Sequence, residues 1–174
     1  MFRKAEMKDV DAIAQIYDKI HTAEEQGLIT IGWNRSIYPT RESAKEAILK
    51  GVMFVEEDDG KVVAAAKIDK EQVPVYAEAD WEFPADDEEV MVLHTLVVDT
   101  EKNGKGYGTK FVDFYEKYAL ENNCPFLRMD TNERNAGARS LYKKLGYKEI
   151  SIVSCVFNGI DGVNLVCLEK KLGK

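Results

Sequence analysis

Apolar residues recur at helical spacing over Asp9–His21, where Val10, Ile13, Ile16, Tyr17 and Ile20 fall on one face and Asp9 stands as the N-cap. A short strand over Phe2–Ala5 precedes this helix. From Ala23 to Thr40 the pattern breaks up around Gly27, Gly32 and Pro39. A second helix is expected over Arg41–Lys50, capped by Thr40 and stopped by Gly51. Two β-rich runs, Val52–Glu56 and Lys61–Ile68, flank an Asp-Gly turn and read as an antiparallel hairpin. Asp69–Glu89 is mixed and reads as an irregular loop. Glu89–Val98 is nearly continuous in apolar residues, as in a strand covered on both faces. Gly108–Asn122 is an amphipathic helix, Pro125–Met129 a short strand, and Asn135–Leu145 a helix closed by Gly146. Two strands, Glu149–Phe157 and Leu165–Leu172, end the chain on either side of 158–162. This order predicts an α/β (α+β) fold, a mixed sheet with helices packed on its faces.

Length and charge narrow the function classes. The 174 residues fit one domain, 1–174, with no repeat or linker inside it. A chain of this length buries a core without a disulfide or metal. The net charge of −7 disfavours nucleic acid and anionic membrane as partners and mildly favours a cationic substrate. The N-terminus carries no apolar signal segment and no stretch is long enough to span a bilayer, so a cytoplasmic protein is expected. Cys124, Cys155 and Cys167 form no C-x-x-C pair, so they read as reduced thiols and no metal site is expected.

The chemistry concentrates in Asn103-Gly104-Lys105-Gly106-Tyr107-Gly108-Thr109, between a strong strand and a helix. Alternating glycines allow positive φ and close approach to the main chain. Free N–H groups and the helix N-terminus then make an anion cradle. The dinucleotide pattern G-x-G-x-x-G fails at Thr109, and the P-loop pattern fails because Thr109 precedes Lys110. Downstream, Asn135, Ala138, Leu141, Tyr142, Gly146 and Tyr147 fit N-x-x-A-x-x-L-Y-x-x-x-G-[FY]. An amphipathic helix with a glycine C-cap explains the leucines there, but not the Asn and the Tyr.

Together the two segments resemble the GNAT superfamily of acetyl-coenzyme A-dependent N-acetyltransferases. The likeness covers roughly residues 90–150 tightly. It implies a mostly antiparallel central sheet with helices on both faces and a splayed strand pair at the coenzyme A site. It implies that Leu96, Val97 and Val98 hold the pantetheine arm through their main chain. Asn103, Gly104, Lys105, Gly106, Tyr107, Gly108 and Thr109 would hold the pyrophosphate, and Asn135 would bond the arm. Tyr142 would donate to the departing sulfur. Asn103 stands where the family usually has Gln or Arg.

The proton acceptor is less determined. Val92 occupies the position of the family's usual strand carboxylate, and His94, two residues on, shares its face. His94 is therefore the candidate base, with a satisfied core histidine as the alternative. Trp33, Tyr38 and Trp81 are candidate walls of an acceptor pocket, with core packing as their alternative. The expected activity is acetyl transfer to a primary amine on a small molecule, peptide N-terminus or lysine, and the resemblance implies a homodimer. A non-catalytic acyl-coenzyme A sensor and a nucleotide-phosphate binder stand as alternatives.

Overall fold

Residues 1–173 are described in the computed structural model. Strand β1 (Phe2–Lys4) leads into helix α1 (Val10–Glu25), and helix α2 (Arg41–Leu49) follows. Next come strands β2 (Met53–Asp58), β3 (Lys61–Asp69) and β4 (Val90–Val98). Helix α3 (Tyr107–Glu121), β5 (Phe126–Asn132), α4 (Ala136–Lys144), β6 (Lys148–Phe157) and β7 (Ile160–Lys171) complete the chain. The expected order of elements is borne out.

One seven-stranded sheet runs β1-β2-β3-β4-β5-β7-β6, antiparallel everywhere except between β4 and β5. α3 and α4 cover one face, where Phe111, Val112 and Tyr115 pack on Ala64, Ala66, Met91, Leu93 and Leu127. α1 and α2 cover part of the other, where Ile13, Ile16 and Ala44 meet Met53, Val55, Ala65 and Val97. The rest of that second face carries Tyr76, Val90, Val92, Leu165 and Cys167 beneath the segment between β3 and β4. Among the described residues no helix is long and apolar enough to cross a membrane.

Several boundaries move for identifiable reasons. Thr40 caps α2 as expected, accepting from the Ser43 N–H at 3.1 Å. Asp9 does not cap α1; its carboxylate accepts the Glu6 N–H at 2.7 Å and pairs with Arg3. The last two strands are separated by Asn158-Gly159 alone, both at positive φ (50° and 76°), not by 158–162. An Asn-Gly pair with that twist closes a two-residue hairpin, so β7 begins at Ile160. β5 runs on past Met129 through Asp130, Thr131 and Asn132. The 69–89 segment holds two 3-10 turns, Pro74–Glu78 and Asp87–Glu89.

Candidate active site

The site begins with a bulge. Lys67 pairs with His94 and Ala65 with Val97, so Thr95 and Leu96 together oppose Ala66. Thr95 takes a φ of 53°, and its hydroxyl lies 2.5 Å from the Tyr38 hydroxyl. An extra residue in one strand bends it and flips the side chains beyond it to the other face. Met91 and Leu93 pack under α3 before the bulge, and Leu96 and Val98 do so after it, while Val97 turns to the α1 side.

The bend separates β4 from β5. Their parallel pairing runs from Val90↔Phe126 to Leu93↔Met129 and stops. Below the gap the strands are held together by buried Tyr115, which donates to the Met91 carbonyl at 2.7 Å and lies 3.3 Å from the Arg128 carbonyl. Beyond it, the β4 main chain from His94 onward has no β5 partner. The expected splayed strand pair is present, and its cause is the Thr95 bulge.

A cleft of about 100 Å³ passes through this gap. On the α4 side it is lined by Leu96, Asn135, Ala138 and Tyr142. Asn135 accepts from the Ala138 N–H at 3.1 Å, capping α4, which leaves its amide N–H groups free to donate. Tyr142 makes no hydrogen bond among the described residues, and burial pushes its phenol well above its ordinary pKa, so it stays protonated. Beside the cleft, Gly104 and Gly106 hold positive φ values of 75° and 83°, and Gly106 opens α3 without a side-chain cap. A Cβ on either would meet open space, so the requirement there is the backbone shape and the room beside it. Gly108 differs: its Cβ would come within 3.3 Å of Leu141 Cδ2, so it brings α3 close to α4. Tyr107 donates to Asp58 at 2.5 Å and Lys110 lies over its ring at 4.9 Å. Asn103, Lys105 and Gly104 are exposed around the same loop, and Thr109 is half-buried in the first turn of α3.

On the opposite face the cleft is lined by Trp33, Thr95, Asp130, Phe157 and Ile160. Asp130 is a candidate site residue that the sequence alone does not single out. It follows Arg128 on the outer face of β5, and the expected strand stopped one residue short of it. A charged residue in alternation with buried Leu127 and Met129 was the available signal. Tyr76 donates to Asp130 Oδ2 at 2.6 Å, and Oδ1 has no partner among the described residues. Burial raises its carboxyl to about 6, against the lowering effects of the Tyr76 hydrogen bond and the nearby His94.

His94 does share the face of Val92, whose side chain is buried among apolar neighbours. Its ring Nε2 lies 2.8 Å from Asp69 Oδ1, and its side chain is 9% exposed. Lys67 lies 3.4 Å from the other Asp69 oxygen. Had the β4–β5 register continued past Leu93↔Met129, His94 would stand opposite Asp130. His94 itself does not line the cleft. Of the three aromatic candidates, Trp33 is a wall. Tyr38 stands behind Thr95. Trp81 lies elsewhere, edge-to-face with Tyr76 (5.1 Å) and beneath the Arg128 guanidinium (4.3 Å), with its Nε1 donating to the Tyr76 carbonyl at 2.8 Å.

A parted β4–β5 pair, a glycine-opened helix on one face and an Asn/Tyr-bearing helix beside it define an acyl-transfer fold with two-sided access. The family model described as "Acetyltransferase (GNAT) family" matches residues 11–147, and the chain belongs to that family of acetyltransferases. An uncharacterized N-acetyltransferase of Methanocaldococcus jannaschii is 25% identical over 173 residues, covering 98% of this chain and 91% of the relative. Another from the same organism is 28% identical over 79 residues, 45% of this chain but only 35% of the relative's length. The crystal structure of a GNAT-family acetyltransferase from Streptococcus agalactiae superposes with a TM-score of 0.83, at 23% identity, over 100% of this chain and 96% of that one. That likeness extends to the fold alone.

Proposed function

We propose that the protein transfers an acetyl group from acetyl-coenzyme A to a primary amine across the β4–β5 gap. The observation that carries this reading is the placement of Tyr142 and Asp130 on opposite faces of one cleft. Acetyl-coenzyme A supplies an activated thioester carbonyl. The main chain of Leu96, Val97 and Val98, unpaired on its β5 side, and the free amide of Asn135 orient the pantetheine arm. The Asn103–Thr109 loop and the α3 N-terminus receive the pyrophosphate through backbone N–H groups.

The amine enters from the Trp33 side. Its nitrogen lone pair forms the C–N bond as the C–S bond breaks. Asp130 first takes one proton from the bound ammonium, which frees that lone pair; Tyr142 then donates its proton to the departing sulfur, and the second proton lost by nitrogen restores the Tyr142 phenol. A carboxyl near 6 is ionised at neutral pH yet basic enough to accept that proton. His94, held by Asp69, lies on the same face and acts on Asp130 only through its charge, which opposes the rise of that carboxyl.

Release of free thiol from acetyl-coenzyme A, measured against a panel of amines, tests the reading. Turnover with at least one amine is expected. Coenzyme A binding without turnover across a broad panel would favour the acyl-coenzyme A sensor instead.

A further inference from the structure

The acceptor side of the cleft is built from three segments distant in sequence. The α1–α2 loop contributes Trp33, the end of β5 contributes Asp130, and the β6–β7 hairpin contributes Phe157 and Ile160. These segments touch each other around the opening. A Cβ on Gly32 would stand 2.2 Å from Asn132 Nδ2, so the loop sits hard against the end of β5. A Cβ on Gly159 would stand 3.1 Å from Ile37 Cγ2, so the hairpin turn sits hard against the same loop. The result is a walled chamber, not an open groove along which an extended peptide could lie.

The loop is braced from behind. Arg35 bonds Asp18, Thr22 and Glu25 on α1, and the buried His21 ring nitrogen lies 2.8 Å from the Pro39 carbonyl. Glu24 accepts the Gly32 N–H at 2.7 Å. Hydrogen bonds to five residues of one helix hold the wall in place.

Among the described residues the chamber lining contains no Lys, Arg or His, and Asp130 is its one charged side chain; Glu133, Arg134 and Asp161 line a separate pocket at its mouth. Its walls are otherwise mixed: Trp33, Phe157 and Ile160 give apolar surface, and Thr95, Thr131, Asn132 and Asn158 give neutral polar groups. A carboxylate brought into such a space would lose its hydration with no cation to meet it, and would face Asp130 besides. A second ammonium would find no second carboxylate. A single ammonium on an apolar body would pair with Asp130 Oδ1 and bury its body against Trp33 and Phe157.

We infer that the acceptor is a small primary monoamine carried on a compact, uncharged apolar body, not an amino acid, a diamine or a protein chain. This inference rests on the acetyltransferase reading and narrows its acceptor. Asp130 is then both the group that selects the cation and the group that takes its proton.

The test compares four acceptors that differ in charge and size: 2-phenylethylamine, phenylalanine, 1,4-diaminobutane and an alanyl tripeptide. 2-Phenylethylamine is expected to exceed the others in kcat/KM by about 100-fold, the scale on which an unpaired buried charge is rejected. Equal or better use of phenylalanine, the diamine or the tripeptide overturns the inference and leaves acetyl transfer standing. If no amine is turned over, the acetyltransferase reading fails. Equilibrium dialysis of the same four compounds on coenzyme A-loaded protein then decides separately: the same ranking upholds the acceptor class, and a flat or inverted ranking overturns it. Ile37→Ala removes the wall contact from a residue outside the chamber lining. It is expected to keep activity on 2-phenylethylamine and to raise tripeptide activity several-fold; unchanged tripeptide activity would contradict the wall as the size filter.

Discussion

The two sides of the cleft are made of different materials. The α3–α4 side is mainly backbone: glycines at positive φ, a helix N-terminus and a strand edge freed by one bulge. The opposite side is mainly side chains, brought together from the α1–α2 loop, the end of β5 and the β6–β7 hairpin. A backbone site tolerates changes in most of its side chains but little change in shape. A side-chain site keeps its shape and changes its ligand with a single residue.

That contrast yields effects of different size. Asp130→Asn removes the one charge on the acceptor side and keeps an oxygen for Tyr76 to donate to. It should lower kcat by about 10³-fold, within the range for a lost proton-transfer group. Loss of less than threefold in steady-state turnover would remove Asp130 from the chemistry.

Tyr142→Phe should lower kcat by about 100-fold and leave coenzyme A affinity within a few-fold. Calorimetry beside turnover separates the two quantities, and a parallel loss of both would make Tyr142 a binding group.

Gly106→Ala tests the backbone side. Space for the methyl is open, so only the left-handed conformation is penalised, by about 1 kcal/mol. Coenzyme A affinity should fall roughly fivefold with kcat unchanged once the protein is saturated. An unaltered Kd would mean that this loop does not set the donor site.

His94→Ala should cost only a few-fold, because Asp69 keeps Lys67 as a partner. The acid limb of the pH–rate profile should persist and move slightly to higher pH, because His94 helps to lower the Asp130 carboxyl. Its disappearance would transfer the role of base from Asp130 to His94.

The same contrast explains what could be read from the chain alone. Glycine spacing and the Asn135…Tyr142 pattern are local, so the donor side was legible, down to the helix that Asn135 caps. The parting of β4 and β5 was expected only through the family resemblance, since nothing local announces a bulge at Thr95. Asp130 escaped because the apolar pattern of β5 ends at Met129, whereas its pairing with β7 continues to Asn132↔Leu165. Tyr38 was legible as an aromatic near the site, but its role in holding Thr95 depends on a contact between residues 57 positions apart. Trp81 shows the limit of composition: an aromatic in an acidic loop turned out to pack on Tyr76 and Arg128, away from the cleft.

The most direct test of a two-sided cleft is the pH dependence of kcat/KM for acetyl transfer, in the intact protein and in Asp130→Asn. With Asp130 as proton acceptor, activity is low while its carboxyl is protonated and rises through about pH 6 as it ionises. The account predicts that limb in the intact protein and its loss in the variant. The same limb at the same pH in Asp130→Asn would contradict it.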